Sequence, residues 1–281
     1  MNNISLVIAT LKDSIVRLSG ALGVDIAKHK PAGVLEGRTS PDALGKLIRS
    51  LHPLQAGAPL IRLGPDGDGG YLLPNDLEGI KYGFSPGVST ESGFEIDLAN
   101  QGMQVYLADY SVPVVPQSHP NFEFDRKFVG AFSDEIFMTL DEWKKNKIPD
   151  YKGDLILQMD IEGMEYETLM QISMDLLAQF RIIVIEFHNL QALFRRTFFT
   201  LASNVFDRLL RTHSVVHIHP NNCCGFVKGS GFDIPRVAEF TFYRNDRFRR
   251  GMYQTMFPHP LDRDNTHKRS LPLPGCWYRQ S

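Results

Sequence analysis

The chain has 281 residues, of which 43% are hydrophobic and 22% charged, a composition typical of a globular protein with a substantial core. Its 30 Lys and Arg nearly balance its 32 Asp and Glu, for a formal net charge of −2, so nucleic acid is not favoured as a partner. The three cysteines, two of them adjacent, form neither a CxxC metal motif nor an even disulfide framework, which favours the reducing cytoplasm. Because no apolar run approaches the roughly 18 residues of a membrane span, we predict neither export nor a membrane span.

The N-terminal region predicts two helices joined by a linker. In the first, apolar residues recur at alternating intervals of four and three and form a heptad seam: Ile4, Ile8, Leu11, Ile15, Leu18 and Leu22. This seam needs a partner, either a second copy of the chain, which would make a homo-oligomer, or the protein's own domain. The second helix begins at Ser40 and Pro41, which suit the N-cap and the first turn. We assign residues 1–55 to a helical accessory segment and residues 56–281 to the main domain.

The main domain alternates predicted strands and helices, an order that forms a parallel sheet covered by helices on both faces. Its last two β-rich runs, 214–227 and 234–244, have no helix between them and are expected to pair antiparallel. The predicted fold class is therefore α/β and Rossmann-like, a mostly parallel sheet with a closing antiparallel hairpin. Simple NAD-binding domains usually lack that hairpin, although a fold alone does not establish a function.

One acid follows a buried strand. Residues 153–169, GDLILQMDIEGMEYETL, place Asp160 where a continuous apolar run passes into a helix. In open α/β sheets ligands bind at the carboxyl ends of the strands, so Asp160 is expected to face a site. The alternative is that Asp160 or Glu162 only caps the helix and complements its dipole.

A glycine turn and a second acid suggest a nucleotide-like ligand. Gly83 and Gly87 follow the first core strand, where glycines allow close backbone approach to a ligand, although a tight turn alone also needs them. The next strand ends in Asp109, the position from which an acid accepts hydrogen bonds from the ribose of an adenosine ligand. Upstream, the glycine-rich loop within 62–74 carries Asp68, and we expect it to face a ligand as well.

Two later strands add further polar groups. IVIEFHNL brings Glu186 and His188, and VVHIHPNN brings His217 and His219. Because side chains alternate along a strand, the two members of each pair lie on one face. We expect these groups to converge near Asp160.

Two mechanisms are open for this cluster. Asp160, Glu186 and His219 could bind a hard divalent metal of the Mg or Mn kind, which would acidify a substrate hydroxyl. Without a metal, His188 or His219, oriented by a carboxylate, could act as a general base. The candidate catalytic residues are Asp160, Glu162, His188 and His219.

Several motifs, taken in order, resemble the FkbM-type family of S-adenosylmethionine-dependent methyltransferases: DGGYLLP, GFSPGVSTESGFEIDLANQG with its following LAD, GDLILQMDIEGMEYETL, IVIEFHNL, HIHPNN and IPRVAEFTFYR. The resemblance covers residues 60–262. It implies a class I methyltransferase domain, S-adenosylmethionine as cofactor, and O-methylation of a hydroxyl on a sugar, glycan or related natural product. It also implies cofactor contacts from the turn and the strand ends, which we predict as Asp68, Gly83, Phe84, Ser85, Gly87, Asp109, Tyr110 and Asp160.

Two other functions account for part of the pattern. An NAD-dependent oxidoreductase would share the glycine turn and the ribose acid, but the closing antiparallel strands and the later motifs argue against it. A non-catalytic module on the same fold would bind a glycan or a protein partner through the same cleft.

Overall fold

The computed structural model describes residues 37–88, 90–248 and 251–279. The heptad helix, and with it the predicted homo-oligomer, lies outside the described residues. The α-helices are α1 Pro41–Ser50, α2 Gly93–Asn100, α3 Leu140–Lys147, α4 Glu165–Gln171, α5 Met174–Leu177 and α6 Arg196–Thr212. The strands are β1 Leu60–Leu63, β2 Tyr71–Pro74, β3 Tyr82–Pro86, β4 Gln104–Ala108, β5 Phe122–Asp125, β6 Phe128–Val129, β7 Phe137–Met138, β8 Leu155–Met159, β9 Phe180–Phe187, β10 His213–Pro220, β11 Phe226–Gly229, β12 Phe232–Pro235 and β13 Ala238–Arg244.

A seven-stranded sheet organises the domain, in the order β10-β13-β9-β8-β3-β4-β5. Strands β5, β4, β3, β8 and β9 pair parallel, whereas β13 is antiparallel to both of its neighbours. The predicted mostly parallel α/β sheet with an antiparallel closure is therefore confirmed. Its closure differs from a simple edge hairpin, because β13 lies between β9 and β10 and the small β11–β12 hairpin precedes it.

Both faces of the sheet are buried, which explains the continuous apolar runs in the sequence. On β9, Ile183 and Ile185 belong to one core cluster, and Ile182 and Val184 belong to the other. Helix α1 lies within the predicted accessory segment, yet it contributes fully buried side chains such as Leu44 to the first cluster. A functional division of the chain at residue 55 stays a prediction.

The β1–β2 hairpin covers the second face and brings its loop to the carboxyl edge of the sheet. The Thr241 hydroxyl of β13 donates to the Leu72 carbonyl of β2 at 2.5 Å. The Arg62 guanidinium donates to the carbonyls of Pro65 (2.8 Å) and Gly67 (2.7 Å), which holds the intervening loop in shape. The loop that carries Asp68 is thus tied to the fold on both sides.

The cysteines differ from the sequence expectation in one respect. Cys223 and Cys224 form a disulfide between adjacent residues, and Cys276 is a free thiol.

The cytoplasmic location stays a prediction. Within the described ranges, none of the helices has both the length and the apolar character needed to cross a bilayer.

His213, at the start of β10, is fully buried, and we expect the protein to lose stability in acid because of it. Its Nδ1 lies 2.8 Å from Thr212 Oγ1 and its Nε2 lies 2.7 Å from the Phe180 carbonyl, so the neutral ring donates from Nε2. Burial lowers the pKa of His213 from 6.5 to about 4, against the opposing effect of the Phe180 hydrogen bond. The unfolded chain therefore takes up this proton at higher pH than the folded chain. Stability is expected to fall as the pH drops from 6.5 towards 4, by about 2 kcal/mol at pH 5.

Urea unfolding of the parent and of His213→Gln at pH 7 and pH 5 tests this expectation. The glutamine amide can still donate to the Phe180 carbonyl but does not titrate. The variant should lose about 2 kcal/mol less than the parent between the two pH values. Equal losses would show that His213 does not contribute to the acid dependence.

Candidate functional site

A cleft opens at the carboxyl edge of the parallel strands, between the β1–β2 loop and the loops that follow β3 and β8. Its lining residues are Asp68, Gly69, Tyr71, Gly87, Val88, Thr90, Glu91, Glu95, Gln158, Asp160 and Glu162. Four of the predicted site residues, Asp68, Gly87, Asp160 and Glu162, therefore meet there. The cleft measures about 140 Å³, and because ligand pockets usually measure about 300–1,000 Å³, a large ligand would extend beyond it.

Gly87 forms the floor of the turn after β3. Its φ is +96°, and a Cβ at this position would lie 1.6 Å from the Asp160 carbonyl oxygen. The Gly87 N–H donates to the Ala108 carbonyl (2.9 Å), and the Asp160 N–H donates to the Pro86 carbonyl (3.2 Å). The turn is thus fastened to the ends of β4 and β8, and only glycine allows this approach.

Gly83 and Phe84, just before this turn, were predicted to contact the cofactor, but neither lines the cleft. Phe84 is buried against the Trp143 ring, 5.0 Å between centroids. A Cβ at Gly83 would contact Ile156 and Leu98 in the core at 3.3 and 3.4 Å. Both residues lie within β3, where successive positions face the buried layers on opposite sides of the sheet. Gly83 and Phe84 therefore face the core.

Ser85 connects two buried polar groups beneath the cleft. Its hydroxyl lies 2.5 Å from Glu95 Oε1 and 2.7 Å from Gln158 Oε1. Burial raises the pKa of Glu95 to about 7, although the Ser85 hydrogen bond opposes the shift. Ser85 therefore shapes the floor of the cleft through Glu95 and Gln158, both of which line it.

Asp109 directly follows β4, beside the Gly87 turn. Its Oδ1 accepts hydrogen bonds from the Ser111 N–H (2.7 Å) and hydroxyl (2.6 Å), and the side chain is buried. Within the described residues, Asp109 Oδ2 accepts no hydrogen bond, so it can receive one from a ligand. The neighbouring Tyr110 packs against Phe128, and the Arg126 guanidinium lies 5.1 Å from its ring centroid.

On the other side of the cleft, Asp160, Glu165 and His188 form a cluster. His188 Nδ1 lies 3.2 Å from Glu165 Oε1, and His188 Nε2 lies 4.0 Å from Asp160 Oδ1. Glu165 Oε1 also accepts from the Gly163 N–H (2.9 Å). Glu162, at φ +57°, lies 3.5 Å from His188 Nε2 and is 87% exposed. Glu162 was predicted from the sequence as a site residue, whereas Glu165, which is fully buried, was not.

Charges within this cluster influence one another. Burial raises the pKa of Asp160; the His188 charge lowers it, while Glu162, Glu165 and Asp68 add to the rise. Burial lowers the pKa of His188, but the Glu165 hydrogen bond and the nearby carboxylates raise it to about 8. The cluster therefore holds a proton more readily than its separate groups would.

A second polar cluster lies across β9, β13 and β10. The strand register sets Glu186 opposite Glu239, and Glu239 opposite His219. Burial lowers the pKa of His219, but Asp262, 3.6 Å from Nδ1, and Glu239 raise it to about 9. Burial raises the pKa of both Glu186 and Glu239. Glu239 was recognisable as an inward position of the run AEFTFYR, whereas no sequence signal pointed to Asp262.

The predicted metal set of Asp160, Glu186 and His219 is not brought together. Glu186 Oε1 instead accepts from the Asn221 amide at 2.9 Å, and His219 pairs with Asp262. The set whose ligand atoms all lie within 4.8 Å of one another, among the residues that the structure describes, is Asp160, Glu165 and His188. Strand alternation predicts which side chains share a face but not which partners they have on it.

The profile of the methyltransferase FkbM domain matches residues 136–211, a span that contains Asp160, Glu165, Glu186 and His188. A search of the curated proteins finds no match. Among solved structures, the chain is similar to a putative hemolysin from Streptococcus thermophilus (12% identity, TM-score 0.35), over 64% of this chain and 63% of that chain's length. It is also similar to the N-methyltransferase NodS from Bradyrhizobium japonicum WM9 (10% identity, TM-score 0.33), over 72% of this chain and 94% of that one. A TehB-like SAM-dependent methyltransferase from Corynebacterium glutamicum is similar at 14% identity and TM-score 0.33, over 85% of this chain and 99% of that one. The predicted resemblance to the FkbM-type methyltransferase family is therefore confirmed, over residues 136–211 of this chain.

Proposed function

We propose that the protein is an S-adenosylmethionine-dependent O-methyltransferase that acts on a hydroxyl of a sugar, glycan or related natural product. The observation that carries the proposal is the Gly87 turn, fastened between the ends of β4 and β8 beside Asp109. This is the edge of an open α/β sheet at which nucleotide-like ligands bind. The match to the methyltransferase FkbM domain over residues 136–211 supports the same function.

The residues present suit the cofactor. Asp109 Oδ2 is available for ribose hydroxyls, and the Gly87 turn lines the cleft, held there by a close approach to the Asp160 carbonyl that only glycine allows. When bound, S-adenosylmethionine supplies a methyl group on a sulfonium that is already reactive, so positioning is expected to provide most of the rate. Asp160 and His188, at the other side of the cleft, would receive the acceptor hydroxyl and assist the loss of its proton.

The second polar cluster suits recognition of the acceptor. Glu239 Oε1 and Asp68 Oδ1 both accept from the Asn265 amide, at 2.7 and 3.1 Å. This contact links the cluster to the loop that lines the cleft. His219 Nε2 and Asn265 Oδ1 are buried without a hydrogen-bond partner among the described residues, and hydroxyl groups of an acceptor could satisfy both. Action on small molecules rather than nucleic acid stays a prediction.

Replacing Asp109 by alanine is expected to weaken binding of S-adenosylhomocysteine by about 10- to 100-fold, since a hydrogen bond to a charged group contributes about 1.5–3 kcal/mol. Isothermal titration calorimetry of the full chain measures the effect. Glu135→Gln is the matched control, because it removes a negative charge from an exposed position away from the cleft and should leave affinity unchanged.

Each outcome of this titration is informative. Binding by the parent that is lost selectively in the Asp109 variant supports the proposed cofactor and its ribose contact. No binding of S-adenosylhomocysteine by the parent would overturn the proposal, and binding of NAD instead would identify an oxidoreductase. Cofactor binding without methyl transfer to any of a panel of sugars and glycans would favour a non-catalytic module.

A further inference from the structure

We infer that Asp160, Glu165 and His188 form a binding site for one divalent cation of the Mn²⁺ kind. One oxygen from each carboxylate and one ring nitrogen of the histidine lie within 4.8 Å of one another. Ligands that bind one ion at about 2.1 Å are separated by roughly 3 to 4.2 Å, so the three groups need to close by only about half an ångström. The inference rests on the proposed function only for the role of the ion, not for its binding.

Two buried oxygen atoms in the cluster lack partners. Asp160 Oδ1 and Glu165 Oε2 have no hydrogen-bond donor among the described residues, and Glu165 is fully buried. A buried carboxylate oxygen without a donor destabilises the fold, because it has lost its hydration and gained no hydrogen bond in return. A cation that contacts these oxygens would take the place of the missing donors.

The other oxygen of Glu165 holds the cluster together. Glu165 Oε1 accepts from the N–H groups of Gly163 (2.9 Å) and Ile161 (3.3 Å), within the loop that joins β8 to α4. His188 Nδ1 lies 3.2 Å from the same oxygen. The Tyr166 hydroxyl also donates to the His188 backbone carbonyl at 2.9 Å. The loop and the histidine are therefore held in place by one carboxylate oxygen, and the second oxygen remains unused.

The donor set indicates the type of ion. Two carboxylates and one imidazole suit Mn²⁺ and related ions, whereas Ca²⁺ and Mg²⁺ prefer oxygen ligands alone. Three protein ligands leave further coordination positions open. Because Asp160 lines the cleft, an ion at this site would be reached from the cleft, where it could bind and acidify an acceptor hydroxyl.

Titration of the chelator-stripped full chain with MnCl₂, followed by calorimetry and by loss of the free Mn²⁺ signal in electron paramagnetic resonance, tests the inference. We expect saturable binding of a single ion, weakened about 10-fold or more in both Glu165→Gln and His188→Gln. Glu167→Gln is the matched control, since it removes the same charge from an exposed position on the same helix and should bind Mn²⁺ as the parent does. MgCl₂ and CaCl₂ should bind more weakly than MnCl₂.

Absence of saturable Mn²⁺ binding by the parent would overturn the inference, as would equal weakening in the Glu167 control. If Glu165→Gln does not fold, as judged by circular dichroism, the parent and His188→Gln decide the question. S-adenosylhomocysteine binding, measured on the same samples, separates the two proposals. Mn²⁺ binding without cofactor binding would leave the ion site standing and reject the methyltransferase, and the reverse result would reject only the ion site.

Discussion

Replacing Gly87 by alanine is expected to lower the free energy of unfolding by about 3–5 kcal/mol, from backbone strain and steric overlap together. A Cβ at this position would lie 1.6 Å from the Asp160 carbonyl oxygen and 2.5 Å from its carbon, and φ is +96°. Because these neighbours are backbone atoms, the turn or the end of β8 has to move. The movement would displace Asp160 from the cleft, so S-adenosylhomocysteine binding should fall as well. Urea denaturation and calorimetric titration measure the two effects.

Gly102→Ala separates the two causes. Gly102 also has positive φ, at +88°, but no heavy atom lies within 4 Å of a Cβ built there. This variant should therefore lose only about 1–2 kcal/mol, from backbone strain alone, and should bind S-adenosylhomocysteine as the parent does. If both variants lost the same stability and the same affinity, the close approach of the turn to Asp160 would not be the reason that Gly87 matters.

Some elements can be predicted from the sequence because they carry local signals, such as helix caps, charged end turns and apolar runs. Helix α3 has two such signals, because Thr139 accepts from the Glu142 N–H as an N-cap and basic residues occupy the last turn. Helix α1 likewise begins after Ser40, whose hydroxyl accepts from the Ala43 N–H. Strand β8 was recognisable because both faces of a central parallel strand are buried. In each element the pattern depends on residues a few positions apart, which a sequence shows directly.

Features that were not predicted depend on contacts between distant parts of the chain. The sequence predicts that β13 pairs antiparallel with β10, but it does not show that β13 also pairs with β9. Asp262 reaches His217 across 45 positions, at 2.8 Å. Nothing in the local sequence around Asp262 indicates that partner. Such pairings are determined by the packing of the whole domain.

The candidate site also combines features that the local sequence predicts with features that depend on distant contacts. Gly87 and Asp160 both line the cleft because the order of the strands, which the sequence predicts, brings the ends of β3 and β8 to one edge of the sheet. The sequence does not distinguish Glu162 from Glu165, because both lie within five positions of Asp160. Glu165 is fully buried, whereas the Glu162 side chain is 87% exposed. The difference arises because Glu165 is the first residue of helix α4, whereas Glu162 precedes that helix.

Arg181→Ala is expected to destabilise the protein by about 3–5 kcal/mol, the usual effect of breaking a buried ion pair. Arg181 lies on β9 with 7% of its side chain exposed. Its guanidinium donates to Asp154 Oδ2 at 2.8 Å and to the carbonyls of Asp76 (2.9 Å) and Glu78 (2.8 Å). The side chain therefore fastens the segment after the β1–β2 hairpin to the main sheet, and its loss leaves two carbonyls without their donor.

Arg247→Ala is the matched control for Arg181, because both arginines pair with the carboxylate of Asp76. Arg247 Nε lies 2.8 Å from Asp76 Oδ2, but its side chain is 36% exposed. Water can replace most of this contact, so the variant should lose no more than about 1 kcal/mol. Thermal and urea unfolding of the three proteins measure the difference. Similar losses in both variants would mean that charge neutralisation of Asp76 matters more than burial, whereas a much larger loss for Arg181 would show that the buried donors to the hairpin segment hold the cover of the sheet in place.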